Sequence, residues 1–349
     1  MQINVLTMIQ QVSGQKMHVL RRQQLMKRID HSHGSNRLSH KRRCGFVTQV
    51  LFSLLLFPIW LSAAPVADER LEYKISYQGG LTAMVWLDIC DAVLETSQQA
   101  VSVNGELAYK TFVDITSERY EKMEDLYPFR FHLTSFFSSD MQRSILFDKR
   151  KKTKKDRHEV IRFDWEEKVT ERYKRLKPKQ IAAGATNIKA GENKASDLFN
   201  FLGYDLTHFR RSGRPGQKLS TGMLDRLSLL QAVRSQKLTV GEEKRLTISD
   251  GKKVLNYLVR VQAREALEHN GQKQDLFKVR FDAFKTGKWS GTPAHPVVYV
   301  WMTTDDLRIP VRFSIDYAMG TFVIQLKQKI VGQPAIASSA LSAQPSQAH

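Results

Sequence analysis

Val311-Arg312-Phe313-Ser314-Ile315-Asp316-Tyr317 places an apolar side chain at every odd position and a polar one at every even position. A period of two is the mark of a β-strand, because successive side chains leave opposite faces of the sheet. The same alternation recurs outward from this stretch. Phe277, Val279 and Phe281 alternate with Lys278, Arg280 and Asp282; Ile161, Phe163 and Trp165 with Arg162 and Asp164; Tyr73, Ile75 and Tyr77 with Lys74 and Ser76. One dry face and one wet face suit an antiparallel sheet. Asp250-Gly251 and Asn270-Gly271 supply the positive φ angles of tight hairpin turns. Strands are therefore expected at residues 246–248, 254–261, 276–284, 297–302, 309–317 and 321–327. A meander of this length must curl or close to hide its edges. The fold class that follows is mainly β: a strongly curved antiparallel sheet or open β-barrel (meander) with one packed helix. That helix is expected over residues 223–234, capped by Thr221, with Met223, Leu227 and Leu230 on its apolar face.

The 349 residues carry 54 Lys+Arg against 35 Asp+Glu, a net charge of +19. Hydrophobic residues at 42% and charged residues at 26% are globular values, which exclude a multi-span membrane protein and wholesale disorder. Residues 45–63 hold no charge, follow Lys41-Arg42-Arg43, and run through VLFSLLLFPIWL to Leu61-Ser62-Ala63-Ala64. A basic segment, an apolar segment and small residues in that order make a secretory signal peptide. Residues 1–63 are assigned to it, with cleavage between Ala63 and Ala64; Met26 is an alternative translation start. The mature chain keeps 45 basic and 34 acidic groups, a net of +11. It is expected to be periplasmic, with a single β-rich domain over residues 64–330. A long excursion at residues 182–219 includes a short helix near 197–202, and residues 331–349 form a disordered tail. Cys90 is then the one remaining cysteine and is read as a buried small hydrophobe. It closes the apolar run of residues 85–89.

The second half also carries an ordered set of motifs. Leu224-Asp225-Arg226-Leu227-Ser228 is followed by Leu238-Thr239-Val240-Gly241 and the Asp250-Gly251 hairpin. Val300-Trp301-Met302, Ile309-Pro310-Val311-Arg312 and Gly320 come next. This order resembles the exported bacterial family known as domain of unknown function 3108, with a D-x-L-S helix, a hairpin, a V-W strand and a P-V-R strand. The resemblance extends over about residues 70–328. In the first half Gly79-Gly80 represents the family's glycine turn, and Met84 replaces a second glycine. The resemblance implies an exported β-rich domain without an assigned activity or catalytic residues.

The candidate functional residues are Lys149, Arg150, Lys151, Lys152, Lys154, Lys155 and Arg157, seven basic groups within nine positions. Such a run attracts polyanions by counterion release, and anionic head groups at about 1 kcal/mol per basic residue. The bland alternative is a solvated hairpin loop between strands. Because the chain is exported, anionic lipid, lipopolysaccharide or an envelope protein outranks nucleic acid as partner. No catalytic residue, cofactor or metal ligand is assigned. Asp305-Asp306 reads as a turn, and Ser228 lacks the G-x-S-x-G elbow of a hydrolase nucleophile. Trp86, Trp165, Trp289 and Trp301 are read first as core residues, with an apolar pocket able to hold an acyl chain as the alternative. The leading expectation is a non-enzymatic cell-envelope protein binding an anionic amphiphile or another envelope protein. An envelope hydrolase or glycan-modifying enzyme and a structural protein-interaction module are the alternatives.

Overall fold

The computed structural model describes residues 68–153, 155–188 and 193–332. The signal peptide, the Ala63–Ala64 cleavage site, Lys154 and the tail beyond residue 332 lie outside them. The described residues form one antiparallel sheet of fourteen strands. Its first half comprises β1 (Glu69–Gly79), β2 (Leu87–Val103), β3 (Glu106–Thr116), β4 (Arg130–Ser138), β5 (Ser144–Lys152), β6 (Asp156–Asp164), β7 (Val169–Arg175) and β8 (Phe209–Arg211). The second half comprises β9 (Glu243–Ser249), β10 (Val254–His269), β11 (Gln272–Lys285), β12 (Val298–Thr303), β13 (Pro310–Tyr317) and β14 (Gly320–Val331). The six strands expected from the C-terminal sequence correspond to β9–β14. Val331, placed in the tail by the sequence, still belongs to β14.

The spatial order is β8-β7-β6-β5-β4-β3-β2-β1-β14-β13-β12-β11-β10-β9. Each half is a meander, and β1 joins them by pairing with β14. No ladder among the described residues joins β8 to β9, so the sheet stays open. Register shifts interrupt several ladders, including β1–β2, β4–β5 and β10–β11. Such bulges bend a sheet and increase its twist. The two edges accordingly approach one another. The chain after β8 bridges them: Leu219 N donates to Lys168 O before β7, Ser144 N donates to Met223 O, and Leu224 pairs in parallel with Ile248 of β9.

The bridging segment leads into the core helix. Of the expected 223–234 span, only Ser228–Arg234 is helical, and every residue of it is buried. Asp225, rather than Thr221, holds the helix start, because its Oδ1 accepts from Leu227 N at 2.7 Å and Ser228 N at 3.0 Å. Leu227, Leu229, Leu230 and Val233 fill the concave side. Arg234 ends the helix against Glu69 of β1, with both side chains buried and Nη2 to Oε2 at 2.8 Å. The concave interior is occupied by the protein's own helix.

Alternation along β1 is as expected, with the odd-numbered residues buried throughout. On β4–β6 it fails, because consecutive residues such as Ser135-Phe136-Phe137 and Leu146-Phe147 are all buried. Ser135 contacts Asp225 on the concave side. Phe136, Leu146, Val160 and Tyr173 face the other way and join a second core with Ala195, Leu198, Phe199 and Phe209. The excursion is thus a lid on the convex face. It carries a helix at Asn193–Phe201, four residues earlier in its start than the sequence suggested.

Candidate functional sites

β5 and β6 run on to Lys152 and Asp156, so the basic cluster is a strand hairpin with a short tip and not a solvated loop. Alternation sends its members to different environments. Lys149 points to the concave face and pairs with Glu159 at 3.0 Å. Glu159 also receives Lys252 of the β9–β10 turn at 3.0 Å. Burial alone would raise the Glu159 carboxyl, yet the two ammonium groups hold it at about 2. Arg150 points to the convex face, lies 4.6 Å over the Tyr204 ring and approaches Asp148. Tyr204 donates to Asp148 Oδ2 at 2.6 Å, while His158 contacts Oδ1 at 2.7 Å. These two positions fasten strands and lid together.

Lys151 is buried beside Phe129 and Phe131, its ammonium 4.5 Å from the Phe131 ring centre. Burial, followed by repulsion from Arg157 and Lys149, lowers its pKa from 10.5 to about 8. A lysine depressed on folding binds fewer protons folded than unfolded between pH 8 and 10.5, so stability rises with pH through that window. Lys151→Met is therefore expected to stabilise the fold at pH 7 by on the order of 1 kcal/mol, after allowance for partial solvent screening. Thermal melts at pH 7 and pH 10.5 check this: the gain should disappear at the higher pH. Among the described members of the cluster, Lys152, Lys155 and Arg157 are exposed at the tip, and Arg150 is exposed on the convex face beside Tyr204.

In an up-and-down meander the β1–β2, β3–β4 and β5–β6 connections share one end of the sheet. The registers confirm it, because Lys74, Asp91, Thr116, Arg130 and Lys152 follow one another across β1–β5. At this end the apolar run ahead of Cys90 begins exposed. Met84 is 63%, Val85 66%, Trp86 46% and Leu87 38% exposed. β2 begins only at Leu87. Ala83 and Met84 have φ angles of 48° and 64°, in the left-handed region that favours glycine. Met84 occupies the position where a second glycine was expected from the family resemblance. Four adjacent apolar side chains thus stand in solvent at the sheet end that also carries the basic tip, and by register their turn projects beyond it, since Leu87 lies four residues past Asp91 on β2.

The four tryptophans do not line one pocket. Trp86 is in the exposed turn, Trp165 donates to Ser144 O at 2.8 Å, and Arg245 lies 5.6 Å over the Trp289 ring. Trp301 donates to Glu265 Oε2 at 2.8 Å. Asp305 accepts from Thr303 Oγ1 and Arg308 N in a turn, as expected. Cys90 is fully buried and burial pushes its thiol pKa up.

Asp225, Ser144 and Ser228, residue types that a hydrolase site uses, cluster in the core. Asp225 is inaccessible, and its Oδ2 accepts from Ser135 Oγ at 2.6 Å and Ser144 Oγ at 2.7 Å. Burial pushes its carboxyl pKa up against these bonds. The arrangement caps a helix and leaves no path for a substrate. Ser228 belongs to the same buried network, 2.7 Å from Ser144 Oγ.

A further group went unnoticed in the sequence. Arg172 on β7 and Arg214 in the bridging segment face a cleft with Thr170, Ser212, Gln217 and Lys252. The available signal was Arg172 itself, at a concave-facing position where an apolar residue is the rule.

Residues 203–327 match the family model described as Protein of unknown function (DUF3108). No curated protein matches the chain. Among solved structures, a β-barrel-like protein of domain of unknown function DUF1849 from Brucella abortus superposes with a TM-score of 0.45 at 12% identity, over 77% of this chain and 99% of that one. A candidate lipoprotein from Parabacteroides distasonis gives 0.28 at 7% identity, over 76% and 96%. A candidate exported protein with a YmcC-like fold from Bacteroides fragilis gives 0.26 at 6% identity, over the same shares.

Proposed function

For a chain whose residues 203–327 match the DUF3108 family model, we propose a non-enzymatic, exported, periplasmic protein that rests one end of its sheet on an anionic lipid surface. The observation that carries this reading is the exposed turn Met84-Val85-Trp86-Leu87 at the same sheet end as Lys152, Lys155 and Arg157. Tryptophan beside aliphatic side chains suits the boundary between head groups and acyl chains. Basic groups nearby add about 1 kcal/mol each on an anionic surface. The left-handed Met84 supports it too: glycine would relieve up to about 1 kcal/mol of backbone strain there, yet a large exposed apolar residue stands in its place.

The test uses the mature chain and vesicles of neutral phosphatidylcholine, with or without anionic phosphatidylglycerol. Sedimentation should require the anionic lipid and fade with salt, since exposed charges are screened within about 8 Å at physiological ionic strength. Trp86→Ser should weaken binding roughly tenfold, as the loss of ~1.4 kcal/mol of interfacial burial implies. Met84→Gly should raise the melting temperature while lowering vesicle binding, a combination that general unfolding cannot produce. Equal binding by parent and Trp86→Ser, or equal binding to neutral and anionic vesicles, would sink the proposal. Capture of an envelope protein through the same turn, without lipid binding, would establish the interaction-module alternative.

A further inference from the structure

The seam between the two sheet edges contains a charge without a counterion. Arg172 is 6% exposed, and its Nε is buried without an acceptor. Its Nη2 donates to Ser212 Oγ at 3.0 Å. No carboxylate among the described residues pairs with Arg172 or with Arg214. The cleft they face is completed by Thr170, Gln217 and Lys252, and no acidic side chain lines it. Residues on both sides of the seam contribute. Arg172 and Thr170 come from β7, Ser212, Arg214 and Gln217 from the bridging segment, and Lys252 from the β9–β10 turn beyond the gap.

The walls are built closely. Ser212 N donates to Arg172 O at 2.7 Å, and Thr170 N donates to Gln217 O at 2.8 Å. A Cβ added to Gly216 would collide with the Thr170 carbonyl oxygen, so only glycine lets the segment lie so near β7. Gln217 N donates to Thr170 Oγ1 at 2.9 Å, which leaves the threonine hydroxyl hydrogen available to an acceptor. Lys252 is shared with Glu159, itself already neutralised by Lys149.

A buried guanidinium needs acceptors for its donors and a charge to offset its desolvation. Uncharged Thr170, Ser212 and Gln217 supply no charge. A compact oxyanion supplies both, and guanidinium groups match its oxygen pairs in bidentate geometry. We infer that this seam is a binding site for a phosphate-type oxyanion, held by Arg172 and Arg214 from one sheet edge and Lys252 from the other. Binding there ties the open edges of the sheet together, so the anion stabilises the fold as well as occupying it. This inference does not depend on the lipid-docking proposal, whose turn and tip lie elsewhere.

Titration calorimetry of the mature chain with inorganic phosphate tests it, with thermal melts in parallel. The parent should show one saturable site and a melting temperature that climbs with phosphate beyond the effect of sodium chloride at equal ionic strength. Arg172→Gln should weaken phosphate binding at least tenfold. Arg214→Gln, an exposed position, should weaken it several-fold with folding unaffected, which keeps the test decisive if the buried variant is unstable. Glycerol 3-phosphate distinguishes the sources: binding equal to phosphate identifies the phosphate of a monoester, and binding of inorganic phosphate alone identifies the free ion. Absence of a saturable site in the parent, equal stabilisation by chloride, or undiminished binding by Arg214→Gln would overturn the inference. Vesicle binding by these variants should equal that of the parent.

Discussion

Asp225→Ala should lower the melting temperature by about 10 °C, on a scale of 2–4 °C per kcal/mol for a domain of this size. The carboxylate accepts four hydrogen bonds in the core, two from the start of the helix and two from serine hydroxyls of β4 and β5. Alanine strands Leu227 N and Ser228 N, as well as the hydroxyls of Ser135 and Ser144. Each buried unsatisfied group costs about 1–3 kcal/mol, partly relieved when the serines rotate toward other acceptors, so about 3–5 kcal/mol is expected. Asp225→Asn preserves the shape and one strong acceptor, and Ser135 and Ser144 can turn to accept from its amide. Its cost should be nearer 1 kcal/mol. Denaturant unfolding of the two variants checks the ranking; equal losses would show that charge, rather than hydrogen bonding, holds the helix start.

The second large effect is expected at Arg234. Its guanidinium meets Glu69 in the core and also donates to Gln231 Oε1, Leu307 O and Arg308 O, each at 3.1 Å. Arg234→Met leaves a buried carboxylate alone, and Glu69→Leu leaves a buried guanidinium without its counterion. Either change should cost about 3–5 kcal/mol, because an uncompensated buried charge is the dominant penalty. The double variant removes both charges and should lose less than the sum by at least 2 kcal/mol, although the two carbonyls remain unsatisfied. A strictly additive double-mutant cycle would show that helix packing, and not the ion pair, ties the C-terminal end of the helix to β1.

The role of Glu69 illustrates where local pattern stops. The six C-terminal strands were legible because alternation and Asn-Gly or Asp-Gly turns act within a few residues. Sequence proximity alone also pointed to the basic cluster, but strand alternation splits it. Lys149 and Lys151 turn inward, Arg150 turns outward to Tyr204, and Lys152, Lys155 and Arg157 are left exposed at the tip. Trp86, read as a core residue, stands exposed for a related reason. An apolar run says that burial would be favourable, but the onset of strand pairing at Leu87 decides whether partners exist to bury it.

The amino-acid order by itself determined the antiparallel meander of the C-terminal half, its principal turns, the buried Cys90 and the C-terminal part of the core helix, all consequences of short-range periodicity and turn chemistry. Only the tertiary structure decided which sheet faces are dry. On β4–β6 a second core forms because residues 193–209 return to cover the convex face, which no local period encodes. It also decided what meets across the seam: Arg172 and Lys252 are eighty positions apart in sequence and share one cleft because the sheet curls until its edges approach. Curvature sums bulges and twist over fourteen strands, so small local angles acquire a long-range result that no single stretch of sequence carries.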